Sequence, residues 1–240
     1  MRFTCLFCLF SVVLSLGCLE AKSPPRVALN PIYDQKLLHF GFTIGVNQMG
    51  FTVKPAANMA NLSDTLYGIS MKPQMGFTVG IVTNLRLGKY FDLRFVPTLS
   101  LGERYLVYTL KTDGKQIYSE SKKIEATYVE FPLEIKWKAA RLVNSRPYVV
   151  AGIRYSVDLA SLAKKKAEHP DDYFVKLKRN DVGLTLGVGW DFFLPMDNKI
   201  AIELKMFYGL NDLLVRENLY YTNYIDKVGA KMLQLCVTFE

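Results

Sequence analysis

Cysteine and histidine are scarce in this chain, with four Cys and two His in 240 residues. Cys5, Cys8 and Cys18 all sit at the amino terminus and only Cys236 lies beyond them. Once the amino-terminal run is removed, no internal disulfide can form and no Cys pair is left to bind a metal. The two histidines do not furnish a hydrolase either. His39 stands at the start of the first expected strand, where a structural role at the membrane interface fits. His169 lies beside Pro170-Asp171-Asp172 but also near Lys164-Lys165-Lys166, so a solvated charged loop is the simpler reading. A Gly-rich phosphate loop is missing too, because Gly183, Gly187 and Gly189 follow strand alternation and not a nucleotide fingerprint. These absences predict no enzyme: no catalytic residues, no cofactor site, no metal site and no small-molecule substrate.

A basic helix is also lacking. The formal net charge is +8 and the pI about 9.2, yet Lys and Arg are scattered through strands and loops, so no nucleic-acid partner is expected. Long apolar runs are confined to the amino terminus, where Met1-Arg2 leads into Phe3 to Leu19. That run is short for a membrane anchor and reads as a secretory signal peptide. Cleavage after Leu19-Glu20-Ala21 gives a signal peptide over 1–21. Leu14-Ser15-Leu16-Gly17-Cys18 loosely resembles a lipoprotein box, so lipidation of Cys18 stays open beside its removal. Either way the chain is exported. With 50% hydrophobic and 13% aromatic residues, it is too apolar to be disordered.

What the sequence does have is alternation. In Val182 to Phe192, Val182, Leu184, Leu186, Val188, Trp190 and Phe192 take one face of a strand. Gly183, Thr185, Gly187, Gly189 and Asp191 take the other. Three glycines weaken a strand unless something crowds their face, and a narrow barrel interior would supply the crowding. The same pattern recurs from Phe40, Phe77, Phe91, Val129, Val149, Ile200 and Leu233, which makes eight strands. A leader over 22–38, with three Pro, precedes them, and the barrel occupies 39–240.

The connections alternate in length. Lys54 to Gly76, Gly102 to Ile124, Leu159 to Asn180 and Leu210 to Val228 are long, whereas Gly88-Lys89-Tyr90, Ala139 to Arg146 and Leu194 to Asn198 are short. The expected fold class is therefore all-β: an eight-stranded antiparallel up-and-down transmembrane β-barrel with short periplasmic turns and long external loops. Volume separates it from a soluble barrel of the lipocalin kind. The interior of eight strands is filled by a few side chains, so the many bulky apolar residues must point outward to lipid. Asp92, Arg94, Glu130, Glu134, Lys136, Arg154, Asp191, Glu203 and Lys205 then point inward. Isolated buried charges are costly, so these are expected to pair and plug the lumen, leaving no pore.

Several segments carry a closer likeness. They are His39 to Asn47, Gly76 through Leu87 to Phe95-Val96-Pro97, and Thr127-Tyr128-Val129-Glu130-Phe131-Pro132-Leu133. To them are added Arg146-Pro147-Tyr148 with Gly152, Tyr155 and Asp158, then Phe207-Tyr208-Gly209-Leu210-Asn211, and the tail from Tyr224 to Glu240. Through these segments the chain resembles the PorT family of Bacteroidetes-type outer-membrane proteins. The resemblance implies a non-enzymatic accessory part in type IX secretion, the route by which such bacteria export surface proteases, adhesins and gliding proteins. The implied partners are outer-membrane lipid, other secretion-machine proteins and, during insertion, the barrel-assembly machinery. The alternative is a general structural or adhesive barrel of the outer membrane unconnected with secretion.

Overall fold

Two prolines set the strand count. Pro97 and Pro132 fall in strands that otherwise alternate without a break, and neither has an N–H to donate to a ladder. In the computed structural model, Ile81 donates to the Pro97 carbonyl at 3.0 Å and Val96 to the Pro132 carbonyl at 3.3 Å. The return bond of each pair has no donor. The segment expected as one strand from Phe91 to Leu101 is consequently divided into β3 (Phe91–Phe95) and β4 (Thr98–Thr112). The structure describes residues 36–55, 66–112, 116–160, 178–195, 198–214 and 225–240. The expected signal peptide, Cys18, nearly all of the leader and His169 lie outside them.

The other strands are β1 (Leu38–Pro55), β2 (Leu66–Arg86), β5 (Gln116–Lys138), β6 (Ser145–Asp158), β7 (Asn180–Phe193), β8 (Lys199–Gly209) and β9 (Ile225–Phe239). They form a nine-stranded antiparallel sheet in the order β1-β9-β8-β7-β6-β5-β3-β2-β4, with further pairings β1–β2 and β5–β4. This corrects the eight-stranded up-and-down barrel expected from alternation: the fold is all-β, but it has nine strands. The long-loop expectation is corrected as well. Residues 66–76, 102–112 and 116–124 are strand, because a hairpin ladder continues past the point where lipid stops demanding an apolar face.

The pairing expected between the last strand and the first is present, with Phe42 opposite Phe239 and Ile44 opposite Val237. The Phe42 and Phe239 rings stack with centroids 4.9 Å apart. Short turns join the strands at one end. Leu142 and Ser145 exchange backbone hydrogen bonds of 2.8 and 2.9 Å across a tight turn. That turn puts Val143 at φ 53°, a conformation a β-branched residue rarely adopts, and Arg141 Nε steadies it by donating to the Val143 carbonyl at 2.8 Å.

Face follows parity throughout. On β7, Val182, Leu184, Leu186, Val188, Trp190 and Phe192 are exposed, while Asp181, Gly183, Thr185 and Asp191 are buried. Val188 is 55% exposed and Arg94 0%. A chain that exposes Val and buries Arg has inverted the usual soluble arrangement, and only an apolar surrounding makes that favourable.

Candidate functional site: the charged inner face

The inner face is built by residues that share one parity on every strand. Arg94 on β3 donates to Glu203 on β8 at 2.5 Å, and Tyr148 on β6 donates its hydroxyl to the same Glu203 oxygen at 2.5 Å. Lys205 lies 3.0 Å from the other Glu203 oxygen and 3.7 Å from Glu134. Lys136 binds both oxygens of Asp191, at 2.8 and 2.9 Å, and its ammonium sits 3.6 Å from the Tyr148 ring centroid. Toward the short turns, Lys138 pairs with Asp92 at 2.6 Å and Lys199 with Glu240 at 2.5 Å. Each of these side chains is almost wholly removed from solvent, and each charge faces an opposite one in place of water.

Above this layer lies a less charged one. Glu130 accepts from Arg154 at 2.9 Å, Thr98 at 3.1 Å and Gln234 at 3.3 Å. Asn47 donates to Thr78 at 2.8 Å, and Thr78 shares a hydrogen bond with Ser100 at 3.0 Å. At the end of the sheet away from the short turns, the Arg104 guanidinium lies over Phe51, 4.2 Å from its centroid, and donates to the Tyr128 hydroxyl at 2.6 Å. Arg154 covers Phe207 at 3.4 Å. Cations stacked on rings close the space between strands with charge and apolar surface together.

Glycine makes this density possible. At Gly189 a Cβ would run into the ring of Tyr148, and at Gly183 into that of Phe207. The small face of β7 therefore exists to admit two aromatic rings from neighbouring strands. Among the described residues, three cavities along the inner face have about 10 Å3 each, room for a single water. In the cavity lined by Arg104, Arg154, Ser156 and Asp181, no side chain among the described residues hydrogen-bonds the Asp181 carboxylate.

All nine charged residues expected to point inward do so; eight of them form ion pairs with one another, and Asp92 pairs with Lys138 and accepts from Asn84. Sequence reasoning missed Arg104, Lys138, Lys199 and Glu240. Parity could have found them: Arg104 continues the series Asp92, Arg94, Thr98, Ser100, and Glu240 continues Gln234, Cys236, Thr238. His39 opens β1 on the inner face, lining a cavity with Asn84, Asp92 and Lys199. Cys236 is a buried free thiol. Among the described residues no group of three or more His, Cys, Asp or Glu is placed to hold a metal ion. Among the described residues the arrangement neutralises charge and fills space.

Among solved structures the chain is similar to the outer membrane protein OprG from Pseudomonas aeruginosa, with 11% identity and TM-score 0.47, over 85% of this chain and 93% of that one. It is also similar to Neisserial surface protein A, with 11% identity and TM-score 0.42, over 85% of this chain and 98% of that one. A third is Ail of Yersinia pestis, solved with the heparin analogue sucrose octasulfate, with 13% identity and TM-score 0.37, over 85% of this chain and 98% of that one. No curated protein matches the sequence. The model of the family described as "Outer membrane protein beta-barrel domain" matches residues 26–215, well over half of the chain. With its polar inner face and its apolar outer one, the chain therefore belongs to the outer-membrane beta-barrel domain family and is a protein of the outer membrane.

Proposed function

We propose that this protein is a structural and adhesive element of the outer membrane, exported by its signal peptide and acting through the segments beyond the bilayer. The observation that supports this reading is the inner face: Arg94, Lys136, Glu203 and their partners are paired directly, and three cavities elsewhere on that face have about 10 Å3 each, so the spanning region serves as a support and not as a conduit. Among the strands that run on past the ladder ends, β2, β4 and β5 present a surface to a partner. Cells lacking the gene should attach less to surfaces or to one another while their membrane permeability is unchanged. Unaltered attachment would refute the reading.

A second reading is an accessory part in type IX secretion, with other secretion-machine proteins as partners and the barrel-assembly machinery acting at insertion. Its support is the resemblance of Tyr128-Val129-Glu130-Phe131-Pro132 and Gly209-Leu210-Asn211 to the PorT family. Under that reading, deletion makes exported cargo accumulate in the periplasm; normal export from the deletion strain would dismiss it.

A further inference from the structure

Beyond the last paired residues of its neighbours, part of the sheet continues alone. β2 pairs with β1 only as far as Gln74, yet it pairs with β4 out to Leu66. β4 and β5 stay paired to the hairpin end, Thr112 opposite Gln116. β5 meets β6 only from Tyr128 opposite Asp158 inward, with one more bond from the Leu159 N–H to the Thr127 carbonyl. A three-stranded blade thus stands beyond the membrane-spanning ladder. Three residues of β2 (74–76) face two of β4 (102 and 103) where it begins, a bulge that turns one sheet away from the other. Among the described residues, the edge of β5 over residues 116–126 has no partner strand.

An unpaired strand edge of this length is a template for another strand, and it contains no proline that would forbid pairing. Its sequence, Gln-Ile-Tyr-Ser-Glu-Ser-Lys-Lys-Ile-Glu-Ala, is complementary to itself when run antiparallel about Ser121. In that register Gln116 stands opposite Ala126 of the second copy, Glu120 opposite Lys122, and Lys122 opposite Glu120. Sliding one copy by two residues in either direction sets Glu120 opposite Glu120 or Lys122 opposite Lys122, which like charges disfavour. Lysines on an edge ordinarily deter pairing; here the symmetric register gives Lys122 a glutamate.

Symmetry fixes where the second copy must be. Two copies in one membrane share an axis along the membrane normal, and strands that leave the bilayer tilted by roughly 35–45° cannot be made antiparallel by such an axis. An antiparallel pair of steep edges places the copies in facing membranes. The overlap of residues 116–126 spans about 36 Å at ~3.3 Å per residue, a continuous ladder between the two surfaces.

We propose that the β5 edge, residues 116–126, pairs with the same edge of a second copy in a facing membrane, making the protein a homotypic adhesin. This rests on the adhesive reading above and names its partner. The test uses full-length protein in vesicles of neutral phospholipid, with clustering followed by light scattering or by energy transfer between two vesicle dyes. Wild-type vesicles should cluster several-fold more than empty ones. Lys122→Glu and Glu120→Lys should each lower clustering about tenfold, since each sets like charges opposite in the symmetric register. Mixing Lys122→Glu vesicles with Glu120→Lys vesicles should restore it, because both opposite-charge pairs re-form. Heat-modifiable migration reports that each variant is folded. Wild-type vesicles that do not cluster, a Lys122→Glu protein that clusters normally, or a mixture that stays dispersed would each overturn the proposal. Vesicles that bind a foreign surface but not each other would remove the β5 pairing and leave the adhesive reading standing.

Discussion

Replacing Glu203 by Leu should be among the most damaging single changes in the protein. Glu203 is 0% exposed and accepts from Arg94 and Tyr148, with Lys205 at 3.0 Å. Without it, Arg94 retains only Glu240 at 3.6 Å and Lys205 only Glu134 at 3.7 Å. Breaking a buried ion pair by removing one partner costs about 3–5 kcal/mol, since a charge is left buried with no close counterion. Replacing both partners with apolar residues of similar volume is far milder, so Arg94→Met with Glu203→Leu should recover most of that loss. The assay is urea titration of protein folded into lipid vesicles. It is followed by the fluorescence of Trp137 and Trp190, both on the lipid-facing side, and by heat-modifiable migration. The single variant should shift the midpoint at constant slope, and the pair should show strong positive coupling. A Glu203→Leu protein that loses less than about 1 kcal/mol would show that the pair behaves as an exposed one, and the description of a dry, paired inner face would be wrong.

Val188, at 55% exposure on the lipid face of β7, should reject Arg at a cost of about 2–4 kcal/mol near the bilayer midplane; equal stability in vesicles would reverse the assignment of faces. Gly189→Leu pushes a side chain into the Tyr148 ring, so an overpacking loss of about 1–3 kcal/mol is expected, and a variant as stable as wild type in the same titration would mean that Tyr148 does not occupy that space. Deleting Phe239 and Glu240 removes the ring stack with Phe42 and the pair with Lys199. The amount of heat-modifiable, membrane-inserted protein should fall, and insertion at normal levels would show that neither contact matters to assembly.

The strands that cross the bilayer were legible because lipid demands an apolar residue at every second position. The expected Val182 to Phe192 became Asn180–Phe193, and Ile200 to Tyr208 became Lys199–Gly209. Beyond the bilayer that demand ends, and with it the signal. Lys111 to Thr112 and Gln116 to Ile124 read as loop because polar residues fill both parities there, yet the hairpin ladder carries β4 and β5 through them. Arg104 was lost from the inner face for the same reason, having been assigned to a loop. Pro97 was counted as an ordinary strand position, and its pairing with Ile81 across from Pro132 depends on which strands are neighbours, which one strand's alternation does not reveal. The ion-pair partners are equally non-local: Arg94 and Glu203 are 109 residues apart, and parity can place both inside without saying that they meet.

The central claim is that the paired charges and stacked rings of the inner face fill the spanning region and make it a support, not a channel. Purified protein in a planar lipid bilayer tests this most directly. Arg94, Lys136, Glu203 and Tyr148 are buried and directly bonded to one another or to close partners, and three cavities elsewhere on the inner face have about 10 Å3 each, so a flat current is expected at all moderate voltages. A reproducible, steady open conductance, abolished by heat denaturation before insertion, would contradict it.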